Sequence, residues 1–136
     1  DDRPRLETKA APLGAAVRFE GRVTDAALLD LYRDCAFFVM PSRDEGFGLV
    51  FLEAMRAGRA CIGAPGSAAE IIEDGVTGLI ADPGDPEQVL KAMVRLFQDP
   101  ALSARMGQAG WRRWAQTFTE VAFRDRFLTC LPGSRH

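Results

Sequence analysis

Histidine is almost missing from this chain of 136 residues: its one histidine, His136, is the last residue. Catalysis or metal ligation built on imidazole is therefore a poor expectation. Cysteine is scarce as well. Cys35, Cys61 and Cys130 are odd in number, far apart and without a C-x-x-C pair, which argues against a disulfide framework or a zinc site and fits a reducing compartment. Neither sign of charge dominates, with 17 Lys plus Arg against 19 Asp plus Glu and a formal net charge of −2. That balance leaves no broad electrostatic footprint for nucleic acid, and no nucleic-acid partner is expected. No apolar run approaches the ~18 residues of a spanning helix. The opening Asp1-Asp2-Arg3 has neither an initiator methionine nor the charged and apolar regions of a signal peptide, so the chain reads as a piece of something longer.

What is present is a globular composition, 47% apolar and 26% charged, long enough to bury a core without disulfide or metal support. Val17-Arg18-Phe19 reads as a short strand. Thr24 or Asp25 can cap a helix in which Leu28, Leu31 and Tyr32 share a face. Ala36 to Met40 is a run of apolar residues closed by Pro41, the pattern of a strand covered on both faces in a parallel sheet. Leu49 to Ala57 is apolar nearly all round and ends at Gly58, as a short buried helix does. Ala60 to Gly63 and Thr77 to Ala81 read as further strands, with a short helix over Ala68 to Glu73 and a turn at Asp74-Gly75.

Asp85-Pro86-Glu87-Gln88 supplies an N-cap, a first-turn proline and a capping-box glutamine, ahead of a stripe of Val89, Leu90, Met93, Leu96 and Phe97. Asp99-Pro100 ends this helix and begins another, and Thr117-x-x-Glu120 opens a last one carrying Val121, Phe123, Phe127 and Leu128. Alternating strands and helices indicate an α/β fold with a mainly parallel sheet.

The stretch with chemical content is Pro41 to Met55. A buried strand leads to a loop with Gly46 and Gly48, and the loop opens onto a helix, so free backbone N–H groups and the positive helix end point above the sheet edge, a geometry that binds phosphate. The two glycines remove side chains that would block a ligand's approach to the backbone. Glu45 precedes this cradle and Glu53 follows eight residues later. A carboxylate on an apolar helix needs hydrogen bonds, and two adjacent ribose hydroxyls would supply them; equally, Glu53 can reach solvent or pair with Arg56 or Arg59. Trp111-Arg112-Arg113-Trp114 has the composition of a membrane-surface anchor, but the spacing of Trp111, Trp114 and Phe118 favours a core stripe.

From Val17 to about Phe127 the chain resembles the second half of the C-terminal domain of glycosyltransferase family 4, retaining enzymes with two Rossmann-like domains in the GT-B arrangement. The resemblance rests on Glu45-x(7)-Glu53 within the frame Pro41 to Leu49, on Phe19-x-Gly21-x-Val23, Glu53-Ala54-Met55, Gly66-x-x-x-Glu70-Ile71-Ile72 and Asp74-Gly75-x-Thr77-Gly78. Phe51, where proline is common, and Arg59-Ala60, where Thr-Pro is common, depart from it.

The resemblance implies a Rossmann-like parallel sheet flanked by helices, a partial C-terminal domain with its core over 17–98 and C-terminal helices over 100–131, lacking the acceptor domain and the first strand–helix units. It implies transfer of a sugar from a nucleotide-diphosphate sugar to a hydroxyl acceptor with retention, in glycan, lipopolysaccharide or glycolipid synthesis. Glu45 would be the catalytic residue, orienting hydroxyls of the donor sugar. The backbone of Gly46, Phe47, Gly48 and Leu49 would hold sugar and diphosphate, Glu53 the ribose and Val23 the base, with Asp25 nearby. Glu70 matches a glutamate beside the site or has a turn role. With no Asp-x-Asp in the sequence, no metal and no cofactor are expected, and helix N-termini and cations would meet the diphosphate charge.

The expected location is the cytoplasm, with peripheral attachment at the inner membrane face as a variant, and a sugar or lipid-linked acceptor would bind mainly to the missing domain. In the Rossmann strand order the Val17 and Ala36 strands are not neighbours, so the first would be detached and the second would present an apolar edge, covered by upstream residues or by a second copy in a homo-oligomer. The fragment alone is expected to be inactive. Two other functions stay open: a non-catalytic nucleotide-sugar-binding or interaction module, and a glycoside hydrolase pairing Glu45 with Glu53.

Overall fold

The computed structural model describes residues 2–42 and 48–119. The elements are α1 (Arg3–Ala10), a 3-10 helix (Ala11–Ala16), α2 (Asp25–Asp34), β1 (Phe37–Met40), α3 (Leu49–Arg56), β2 (Ala60–Gly63), α4 (Ser67–Ile71), β3 (Gly78–Ile80), α5 (Pro86–Gln98) and α6 (Pro100–Thr117). The helix expected after Glu120, and with it Cys130 and His136, lies outside the described residues.

The sheet is parallel in the order β1-β2-β3, with Phe38 beside Cys61 and Cys61 beside Gly78. β2 is its buried spine, and alternate residues point to opposite faces. Cys61 joins Tyr32, Phe51, Ala54, Met55, Ala68, Ile71 and Ile72 on one face. Ala60 and Ile62 join Leu79, Ala81, Ala92, Leu96 and Met106 on the other. Local signals set the helix ends. The Ala27 N–H donates to Thr24 Oγ1 at 3.1 Å. After α3 the Gly58 N–H reaches the Met55 carbonyl and the Arg59 N–H the Ala54 carbonyl, a Schellman closure with Gly58 left-handed. Asp99 ends α5 and caps α6, its Oδ1 accepting from the Leu102 N–H at 3.0 Å.

Several expectations are corrected. Val17-Arg18-Phe19 forms no strand: its backbone is extended at Val17, but no described strand lies beside it to complete a ladder. β1 is half-buried throughout rather than covered on both faces, because it pairs only with β2 and its other edge is unpartnered among the described residues. Leu31 is exposed, while Tyr32 is the buried residue of α2. On α5 the buried residues are Ala92 and Leu96, with Val89 half-buried, whereas Leu90, Met93 and Phe97 are exposed; the apolar arc is wider than the face that the sheet and α6 cover. Gln88 Oε1 accepts from the Asp82 N–H and its Nε2 donates to Asp85 Oδ2 at 3.3 Å, so it meets the capping side chain and not the Asp85 N–H of a capping box.

α6 likewise buries Ser103, Met106, Gly107 and Gly110, not Trp111, which is 48% exposed; Trp114 and Phe118 only pack on the edge of the core. The glycines explain this. A Cβ on Gly107 would stand 2.1 Å from the Gly58 carbonyl oxygen, so the small-residue face is the one that fits against the α3–β2 turn. No described helix is long and apolar enough to cross a membrane.

Candidate functional site

The parallel strands run toward the edge where the loop after β1 opens onto α3. Gly48 is the N-cap of α3 and left-handed at φ 65°, ψ 26°, a conformation that L side chains rarely adopt. A Cβ there would lie 2.3 Å from Ile71 Cδ1. The missing side chain of Gly48 therefore makes room for Ile71 of α4. Among the described residues no side chain caps the helix at Gly48, and the first backbone bond is from Phe51 to the Gly48 carbonyl at 3.0 Å. The N–H groups of Leu49 and Val50, like the first donors of any helix, have no acceptor within the helix.

Nor is α3 buried all round. Phe51, Ala54 and Met55 are buried, while Leu49, Glu53 and Arg56 form an exposed line at i, i+4 and i+7. Glu53 therefore stands one turn beyond the helix start and is exposed, which bears out the alternative in which it reaches solvent. Neither arginine forms a salt bridge with it among the described residues: Arg56 sets its guanidinium 5.6 Å from the Trp114 ring centroid, and Arg59 donates to the Arg33 carbonyl at the end of α2.

Glu53 and Arg56 line a cavity of about 190 Å³ together with Asp25, Leu28, Leu29 and Tyr32 of α2. Burial raises the Tyr32 hydroxyl well above the ordinary phenol range, and the negative charge of Glu53 on the same cavity adds to the shift. Tyr32 escaped the sequence reading as a site residue; being the one tyrosine of the chain, on the helix that follows the Gly21 loop, was its only signal. Arg113 escaped it too. Its Nε donates to the Ile71 carbonyl at 2.9 Å and its Nη2 to the Glu70 carbonyl at 3.1 Å, so it holds the end of α4 instead of facing a membrane.

Of the other expected site residues, Val23 is 37% exposed in the loop before α2 and does not line the cavity, although Asp25 does. Glu70 is exposed on α4, offering its backbone to Arg113. Glu45, Gly46 and Phe47 lie outside the described residues. Among the described residues no group of three or more His, Cys, Asp or Glu gathers to hold a metal ion.

This geometry has close parallels. The chain is 41% identical over 110 residues to a D-inositol 3-phosphate glycosyltransferase of Streptomyces avermitilis, covering 79% of this chain and 24% of that protein. It is 35% identical over 118 residues to the lipopolysaccharide core biosynthesis mannosyltransferase LpcC of Rhizobium leguminosarum bv. viciae, covering 86% and 33%. The chain thus spans about a quarter to a third of the length of these relatives. Among solved structures it matches sucrose-phosphate synthase of Thermosynechococcus elongatus, with a TM-score of 0.83 and 29% identity over 94% of this chain and 33% of that one. The C-terminal domain of the group 1 glycosyl transferase LpcC from Francisella tularensis gives 0.79 and 30% over 87% and 63%. Anabaena HepE in complex with UDP-glucose gives 0.80 and 26% over 95% and 37%. These neighbours are GT-B glycosyltransferases, and the parallel sheet flanked by helices is theirs. A family model, Glycosyl transferases group 1, matches residues 1–99, and with that match and these relatives the chain belongs to this family.

Proposed function

We propose that the chain is the donor-binding part of the C-terminal domain of a retaining glycosyltransferase, with its core over 17–98 and its C-terminal helices over 100–131. It binds a nucleotide-diphosphate sugar whose sugar passes to a hydroxyl on an acceptor held mainly by another domain. The observation that carries this reading is the exposed line of α3, on which the helix start at Leu49 and the Glu53 carboxylate lie one turn apart, Glu53 beside a cavity. A diphosphate accepts hydrogen bonds at an open helix start, and a vicinal diol donates to a carboxylate. A nucleotide sugar carries both groups in sequence. The HepE structures with UDP and with UDP-glucose support the same ligand class.

In this reading the Leu49 and Val50 N–H groups and the helix dipole stabilise charge that grows on the departing diphosphate as the glycosidic bond breaks, without a metal. Gly46 to Leu49 cradle the sugar and the diphosphate, Glu53 holds the ribose, Val23 meets the base through its backbone, and Glu45 orients the sugar hydroxyls. The acceptor is a sugar or lipid-linked hydroxyl, and the enzyme works in the cytoplasm.

Titration of the longest natural chain containing these residues tests the assignment. Glu53→Ala is expected to weaken both the free nucleotide and the nucleotide sugar by about 1–3 kcal/mol, the value of hydrogen bonds to a charged group. Glu45→Ala is expected to spare the free nucleotide. Equal losses of free-nucleotide affinity in both variants would overturn the separate roles, and donor binding with neither transfer nor hydrolysis would leave a binding module.

A further inference from the structure

We propose that Trp114 is a positioning residue for the donor: its ring holds the Arg56 guanidinium off Glu53, so that the carboxylate stays open to the ribose diol. The inference rests on the reading of Glu53 as the ribose ligand and adds to it a residue of α6 with a role of its own.

Glu53 and Arg56 stand three residues apart on the exposed line of α3, and both line the cavity of about 190 Å³. Side chains at that spacing are neighbours on a helix surface, where a glutamate and an arginine ordinarily pair. Here no ion pair joins them among the described residues: the guanidinium carbon lies 5.6 Å from the centroid of the Trp114 ring, within the ~6 Å of a cation–π contact. Indole is the best of the aromatic faces for a cation, and the contact gains more than an exposed ion pair at this spacing does. The arginine therefore rests on the ring and not on the carboxylate.

The ring is held in place by its own helix. Trp114 is half-buried against the core. One turn earlier, Gly110 comes so near α3 that a Cβ there would stand 3.5 Å from Met55 Cγ, and Arg56 follows Met55 directly. Arg113, beside the tryptophan, ties α6 to the Ile71 and Glu70 carbonyls at the end of α4. These contacts fix where the indole meets α3. The consequence lies in the geometry of the two competitors for Glu53. An arginine fork takes a carboxylate by both oxygens, and a vicinal diol uses the same two. An Arg56–Glu53 pair would occupy the acceptors that the ribose needs.

The test uses the longest natural chain and titrates UDP, GDP and their 2′,3′-dideoxy analogues calorimetrically into wild type, Trp114→Leu, the double variant Trp114→Leu with Arg56→Gln, and Glu53→Ala. Trp114→Leu keeps an apolar contact and removes the ring. At low salt it is expected to bind the better ribonucleotide about 2-fold more weakly, the value of one exposed ion pair at this spacing, and the dideoxy analogue as wild type does. That loss is expected to vanish at about 1 M salt, where the Debye length is about 3 Å, and again when Arg56→Gln is added. Equal weakening of both nucleotides, a loss that salt and Arg56→Gln leave in place, or no loss at all would overturn the inference. Wild type gives an independent reading in case Trp114→Leu does not fold: the Arg56 Hδ proton resonances are expected upfield, over the indole face, and unshifted resonances would overturn the inference too. An unchanged Trp114→Leu beside a weakened Glu53→Ala sinks the inference and spares the ribose assignment. If Glu53→Ala binds the ribonucleotide as wild type does, or wild type binds neither UDP nor GDP, the ribose assignment fails and the inference fails with it.

Discussion

One family model spans residues 1–99, yet two stretches inside it fold on different terms. The four residues of β2 are all buried, and both core clusters among the described residues draw on them. Between Asp2 and Thr24 not one residue is buried, although Leu6, Leu13, Val17, Phe19 and Val23 are as apolar as anything in the sheet. Fully burying such a side chain is worth about 1.5–3 kcal/mol, against about 1–2 kcal/mol to order each residue's backbone. β2 collects that gain on two faces and from two neighbouring strands. The Asp2–Thr24 stretch has local ties instead: Arg3 pairs with Glu7 at 2.6 Å and lies 5.9 Å from the Phe19 ring centroid. Apolar residues in the right pattern are therefore insufficient for a strand; a lateral partner decides.

Truncation at the spine should show the largest effect. Ile62 is fully buried, and Ile62→Ala is expected to cost about 2–5 kcal/mol in urea unfolding, through lost transfer energy and a residual cavity. Gly107→Ala is expected to cost about 1–3 kcal/mol, toward the upper end, because its Cβ would meet a backbone carbonyl at 2.1 Å and not a side chain that can turn away. A loss below 0.5 kcal/mol in both, where ordinary surface substitutions fall, would mean that the spine is not the organising element.

The same contrast explains what could be read in advance. β2, the Gly58 closure of α3, the Asp85 cap and the Asp99 junction were legible because each depends on residues within a few positions of one another. Val17-Arg18-Phe19, the exposed Leu90 and Phe97, and Trp111 were misread because burial there is set by which element packs opposite, and α6 chose its glycine face. At the candidate site, Glu53 was legible from its spacing and its frame. Its exposure was one of the readings left open, since α3 is apolar enough to suggest burial on every side. Tyr32 and Glu53 line one cavity from two helices, 21 positions apart in the chain, and no local pattern encodes that. The roles of Glu45, Gly46 and Phe47 fall outside the described residues.

The spine also predicts a response to alkali, of intermediate size. Burial pushes the Cys61 thiol up from 9.0 to about 12, with the nearby Cys35 adding to the shift. The folded state then retains a proton that the unfolded chain releases, so stability is intact below about pH 9 and falls as pH rises toward 12. The expected loss is about 1 kcal/mol at pH 10 relative to pH 8. In Cys61→Ala this part of the fall should disappear, measured as the difference between the two pH values and not as the absolute stability. An unchanged pH difference in the variant would assign the alkaline loss to other groups, such as Tyr32, whose hydroxyl is raised in the same sense.

The smallest effect is expected at the other end of the comparison. Leu13 sits in the 3-10 helix, 61% exposed, in a segment with no buried residue. Leu13→Ala removes as much side chain as a core truncation does, but most of that surface is already in water and little cavity can form. Its cost should fall within about 0.5 kcal/mol, the range of surface substitutions away from special features. Urea unfolding of the longest natural chain measures it, because there the same leucine is seen among all of its neighbours. A loss of about 2 kcal/mol or more, the lower end of a core Leu→Ala change, would show that another part of the protein covers the Asp2–Thr24 segment. The difference between the two stretches would then come from which partners are present and not from how each folds.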